Sequence, residues 1–164
     1  MNLLRRRAVR IAAGALAALP FLVGVAAAPA SAADPAPLFG AAASSSCTGT
    51  TKIYLGDRLF TMPTVGNGTN NLNCVLSRGN QSGAVSNLQR HLNACYWSGS
   101  SAGGHRNVFG TALVVDGNFG GNTASALAAA QRSHSIADDG VYGPQTRRTL
   151  LFVTDTSVCV RYGQ

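Results

Sequence analysis

A chain of 164 residues has room for one or two small domains, and 46% hydrophobic residues are enough to bury a core. Only 12% are charged, and all six acids are aspartates, so chemistry built on glutamate, including the HExxH metalloprotease pattern, is excluded. The formal charge of +7 suggests nucleic acid, but four of the 13 basic residues lie within the first ten positions. The remainder carries nine bases against six acids, too weak a footprint for a DNA or RNA partner.

Met1–Arg10 carries Arg5, Arg6, Arg7 and Arg10. Ile11–Ala28 is uncharged and apolar apart from Gly14, Pro20 and Gly24, and Ala30-Ser31-Ala32 offers a small-x-small cleavage site. Basic, apolar and small zones in that order predict a secretory signal peptide over residues 1–32. An uncleaved anchor is the alternative, because 18 uncharged residues just reach across a bilayer. Pro20 and the cleavage site favour removal, so the expectation is an extracellular or wall-associated protein with no membrane contact after cleavage. Residues 33–46, rich in Ala, Pro and Ser, read as a flexible leader.

Cys47, Cys74, Cys95 and Cys159 are even in number, which outside the cytoplasm implies two disulfides in one of three pairings. No CxxC pair supports zinc, and neither a metal nor a cofactor is expected. In the segment 47–77, Thr50–Leu55 and Leu59–Met62 have strand composition, and Gly56-Asp57-Arg58 can turn between them, so a hairpin is predicted. A Cys47–Cys74 bridge would close this segment. Over Ser82–Cys95 the positions Val85, Leu88, Leu92 and Cys95 form one apolar helical stripe, with Ser82 as N-cap. Tyr96-Trp97 then leads into a Gly- and Ser-rich loop, Ser98–Asn107.

An internal repeat follows. Asp116-Gly-Asn-Phe-Gly-Gly-Asn-Thr-Ala-Ser-Ala-Leu127 aligns with Asp139-Gly-Val-Tyr-Gly-Pro-Gln-Thr-Arg-Arg-Thr-Leu150 at an offset of 23 residues. Such self-similarity marks one supersecondary unit used twice. Asp-Gly makes a tight turn with glycine free to take positive φ. Phe119 or Tyr142 buries a ring beside it. Gly120 or Gly143 admits the chain into a helix, and Pro144 suits a first helical position. Thr123 and Thr146 are expected to satisfy free backbone N–H groups in the first turn. Helices are predicted over Asn122–His134 and Pro144–Phe152.

Gly83-Ala-Val-Ser-Asn-Leu-Gln-Arg-His-Leu92, the two D-G-x-aromatic-G-x-x-T units and Ala130-Gln131 between them resemble the bacterial peptidoglycan-binding domain family. The resemblance spans Arg78–Phe152, 75 of the 132 residues after position 32. It implies a mainly α fold over residues 78–164: a three-helix bundle with its D-G turns packed together, preceded by the disulfide-closed hairpin. Its helix ends imply the pairing Cys47–Cys74 and Cys95–Cys159. The chain departs from the family pattern at Gly121, where proline is common, at Ala130, where phenylalanine is usual, and at the apparent insertion Ser98–Asn107.

The resemblance also implies a non-catalytic module for cell-wall peptidoglycan, bound through its glycan strand or stem peptide. Tyr96, Trp97, Asp116, Phe119, Gln131, Asp139, Tyr142 and Arg147 are the ligand-binding candidates. Tyr96, Trp97 and Tyr142 could stack on a sugar. Arg90, Arg132, Arg147 and Arg148 could meet stem carboxylates, or simply form a solvated face. Asp116 and Asp139 are more simply turn-fixing residues than an acid pair. His91, His105 and His134 form no spaced set, and no G-x-S-x-G elbow supports a triad, so no catalytic residue is assigned. A monomer is expected. The alternative is a secreted interaction factor or inhibitor acting on a separate protein, with the hairpin and the inserted loop as its surface. A wall-lytic hydrolase is the third reading.

Overall fold

The computed structural model describes residues 45–102, 104–105 and 107–163. The predicted signal segment and residues 33–44 of the predicted leader lie outside the described residues. The leader's last two residues form β1 (Ser45–Ser46), which pairs in parallel with β4 (Cys74–Val75). Between them lies the expected hairpin, β2 (Gly49–Leu55) against β3 (Arg58–Thr64), antiparallel with Leu55 opposite Arg58. Gly56, at φ +62°, occupies the first position of its two-residue turn, where a left-handed value matches the strand twist. Phe60, Met62 and Thr64 face inward and are fully buried.

α1 (Gly83–Tyr96) begins where the capping pattern places it, with Ser82 Oγ accepting from Val85 N–H at 3.3 Å. The predicted stripe of Val85, Leu88, Leu92 and Cys95 is at most 1% exposed. Ala84, Asn87, Gln89, His91 and Tyr96 are buried as well, so this helix is enclosed on several sides instead of presenting one face. α2 (Gly121–Ser133) follows the first D-G turn and α3 (Pro144–Thr149) the second, with proline at its start as expected.

α3 is shorter than predicted. Leu150 turns extended, and Leu151–Val153 forms β5, paired antiparallel with β6 (Cys159–Arg161). An apolar run ending in Phe152-Val153 suits a pleated, half-buried surface better than a further helical turn. Phe152 is buried there, with its ring edge-on to His91 at 5.0 Å. The fold is therefore mixed. Three helices pack with three two-stranded ladders among the described residues, in place of the expected helical bundle.

The hairpin segment and the helices share one core. Cys47, Phe60, Met62 and Cys74 belong to the same buried cluster as Val85, Leu127, Tyr142 and Phe152. Cys47–Cys74 and Cys95–Cys159 are bridged, as the resemblance implied. They span 27 and 64 residues, and closing loops of that length stabilises the native state by about 3–4 kcal/mol each.

Candidate functional site

Each Asp-Gly turn is held by a buried glutamine from the helix before it. Gln89 on α1 donates from Nε2 to Asp116 Oδ1 (2.9 Å), Asn118 O (3.1 Å) and Thr123 Oγ1 (3.1 Å), and accepts Gly117 N–H at Oε1 (3.0 Å). Gln131 on α2 repeats the arrangement. It donates to Asp139 Oδ1 (2.9 Å), Val141 O (2.9 Å) and Thr146 Oγ1 (3.1 Å), and accepts Gly140 N–H (2.9 Å). One carboxamide thus serves a turn carboxylate, a turn carbonyl, a turn amide and the next helix's threonine. Thr123 and Thr146 donate to the turn carbonyls and accept from the glutamines, instead of accepting helix-start N–H bonds as anticipated. Asp116 and Asp139 accept N–H bonds from Asn118 and Val141, the turn-fixing role. The Asn118 amide, and after it Gln89, hold the Asp116 carboxyl below the usual carboxylate range.

The other candidates are dispersed. Gln131, Phe119 and Tyr142 are 1% exposed and Tyr96 is fully buried, so these side chains pack inside the protein and present no face to a ligand. The Tyr96 hydroxyl accepts Leu151 N–H at 2.6 Å and donates to His134 Nε2 at 2.9 Å. Burial pushes both tyrosine hydroxyls above their ordinary titration range. Arg147 turns inward and donates from Nη1 to Leu72 O, and Arg132 pairs with Asp138 at 2.6 Å. Half-buried Trp97 donates from Nε1 to Gly110 O at 3.2 Å. It lines an open cavity of about 500 Å³ with Arg90, Asn93, Val115 and Val153.

A second concavity was not foreseen. The segment after the inserted loop runs alongside the start of α2 and leaves two adjoining hollows of about 510 and 290 Å³ that share Leu113, Val114 and Asn122. Phe109, Ser125 and Ala126 line the first; Asp116, Asn118 and Gly120 line the second. Asn93 fixes the groove wall with a two-way bond to Leu113, donating to its carbonyl at 2.9 Å and accepting its amide at 2.8 Å. Val114 stands 75% exposed on the rim. The groove floor meets the start of α2, where Gly120 provides no side-chain cap and Gly121, Asn122 and Thr123 of the first turn line the second hollow. Asp116 is the predicted ligand residue that this groove includes. The length of chain between α1 and the first D-G turn was the sequence signal for it.

Among the described residues no group of three or more His, Cys, Asp or Glu could hold a metal ion, and no helix is long and apolar enough to cross a membrane.

Residues 81–150, the stretch in which two helices each clasp the D-G turn that follows, match the family model described as a putative peptidoglycan binding domain. A curated relative is the N-acetylmuramoyl-L-alanine amidase CwlM of Mycobacterium tuberculosis, 46% identical over 41 residues. That stretch is 25% of this chain and 10% of the relative, so the chain spans about a tenth of its length. No solved structure matches the chain.

Proposed function

We propose that this protein is a secreted, non-catalytic binding module for cell-wall peptidoglycan, and that the groove beside the start of α2 receives the stem peptide. One observation carries the reading: the segment that matches the peptidoglycan-binding family also builds the groove's floor, from Asp116 to Ala126. The amides at the uncapped start of α2 suit a carboxylate. Leu113, Val114 and Phe109 supply apolar wall for a peptide side chain. Asn118 and Asn122 add polar groups that can fix orientation. The two bridged cysteine pairs accord with an oxidising, extracellular setting.

The test is co-sedimentation of the oxidised protein, from residue 33 onward, with purified insoluble peptidoglycan while turbidity is followed. The protein should pellet and turbidity should hold steady. Asn122→Asp places a negative charge in the first turn of α2, which suits the helix dipole but repels a carboxylate. Pelleting should fall several-fold with the melting temperature unchanged. Retention in the supernatant sinks the reading, and falling turbidity turns it into a hydrolase.

A further inference from the structure

Away from the groove, four basic side chains converge from four separate parts of the chain. Arg58 opens β3, His105 comes from the inserted loop, His134 caps α2, and Arg161 lies on β6. With Leu151 and Val160 they line a cavity of about 430 Å³. No carboxylate lines it among the described residues. Asp57 reaches only to 4.0 Å from Arg58 Nε and is 97% exposed, a pairing that water screens.

The cavity is held in shape from behind. Arg161 donates from Nε to Thr149 O at 3.1 Å, which anchors the guanidinium. His134 Nε2 lies 2.9 Å from the Tyr96 hydroxyl, which is itself fixed by the Leu151 amide and has a second lone pair to accept from a protonated ring. The His105 and His134 rings stack at 4.3 Å and 21°. Two imidazoles stacked face to face beside two guanidinium groups repel one another once protonated. Burial above all, then His105 and Arg161, hold His134 down at about 4. An anion seated among these groups would reverse that balance by compensating the charge.

We propose that this cavity is a binding site for a phosphate group, taken up together with protons on the two histidines. Phosphate fits better than a single carboxylate, because the two guanidinium groups lining the cavity match the charge of a dianion. Arg58 from β3 and Arg161 from β6 line the cavity with the two histidines, and the Tyr96 ring from α1 stands edge-on to both imidazoles, as the described titratable or charged groups around them. Apart from the neutral hydroxyl, all of them favour an anion.

The test is histidine-detected NMR of the oxidised protein titrated with inorganic phosphate at constant ionic strength. Measurements at pH 5.5 and pH 7.5 would follow His105 and His134, with buried His91 as internal control. Saturable shifts are expected at His105 and His134 but not at His91. Affinity should be at least fivefold tighter at the lower pH, and Arg58→Gln/Arg161→Gln should weaken it at least tenfold with the His91 signal in place. Absent or non-saturable shifts at pH 5.5, or the same affinity in the double variant, overturn the site. Acetate binding as tightly as phosphate overturns the phosphate assignment and makes the cavity a carboxylate site.

Discussion

Gln89 and Gln131 show how much one side chain can organise. A buried carboxamide is costly unless all its polar atoms are met, and here every one is. The reverse also holds: removing Gln131 strands the Gly140 amide in a closed space and takes a donor away from Asp139, Val141 O and Thr146 Oγ1. Gln131→Ala should therefore destabilise by about 2–4 kcal/mol, more than an isolated hydrogen bond is worth. Urea unfolding monitored by tryptophan fluorescence would measure it, and a loss below 1 kcal/mol would show that the turn stands without its clasp. The Asp-Gly pairs and the helix glutamines were visible in the sequence, but Gln131 read there as a ligand contact. Its structural role follows from Asp139 and Gly140 being brought back over α2.

At the scale of elements, the repeat is two helix–turn–helix units sharing α2. Gly117 and Gly140 both take positive φ, +74° and +67°, and both press on the preceding helix. A methyl at Gly117 would meet Ser86 Oγ at 2.8 Å, a side chain able to rotate away, and the Ser82 carbonyl at 3.1 Å, which need give by only a few tenths of an ångström. At Gly140 it would meet Ala124 O at 2.9 Å, and that backbone has little freedom to yield. Both alanine substitutions carry the strain of left-handed backbone, so Gly140→Ala should lower the melting temperature more than Gly117→Ala, by several degrees. Equal losses in thermal melts would mean that φ strain alone sets the cost. The hairpin, α1 and the two helix starts follow local rules of turn chemistry, capping and periodicity, and were legible in advance. The end of α3 was not, because Leu150 leaves the helix to join a ladder whose partner, β6, lies further along the chain.

Across the whole molecule, His91 joins three parts of the chain. Its Nε2–H donates to Thr61 O in the hairpin at 2.8 Å, and its Nδ1 accepts Val153 N–H from β5 at 3.2 Å. The second bond requires Nδ1 to be free of a proton, so the two are made together only by the neutral ring. Burial, opposed by the Thr61 bond and aided by Arg90, lowers its pKa to about 4. The unfolded chain, with an ordinary histidine near 6.5, therefore takes up a proton that the folded state refuses. Stability should be complete above pH 6.5, fall as the pH drops towards 4 and level off below, a change on the order of 3 kcal/mol. Denaturant midpoints from pH 7 to pH 4 would trace this slope, and His91→Gln should flatten most of it. An unchanged slope would place the titration elsewhere, with His134 the next group.

The sequence by itself determined the pieces whose causes are local. These are the Asp-Gly turns, the hairpin, the stripe of α1 and the proline start of α3, together with the family resemblance those motifs carry. Each depends on residues a few positions apart, so spacing and residue type suffice. The tertiary structure decided which polar groups meet: Gln89 with Gly117, His91 with Val153, and Arg58 with His105, His134 and Arg161. It also decided that Phe119, Tyr96 and Tyr142 serve the core, while Leu113, Val114 and Asn122 border the open groove. Those outcomes depend on how distant segments fold back over one another, because burial and partnership belong to the packed chain and not to any residue within it.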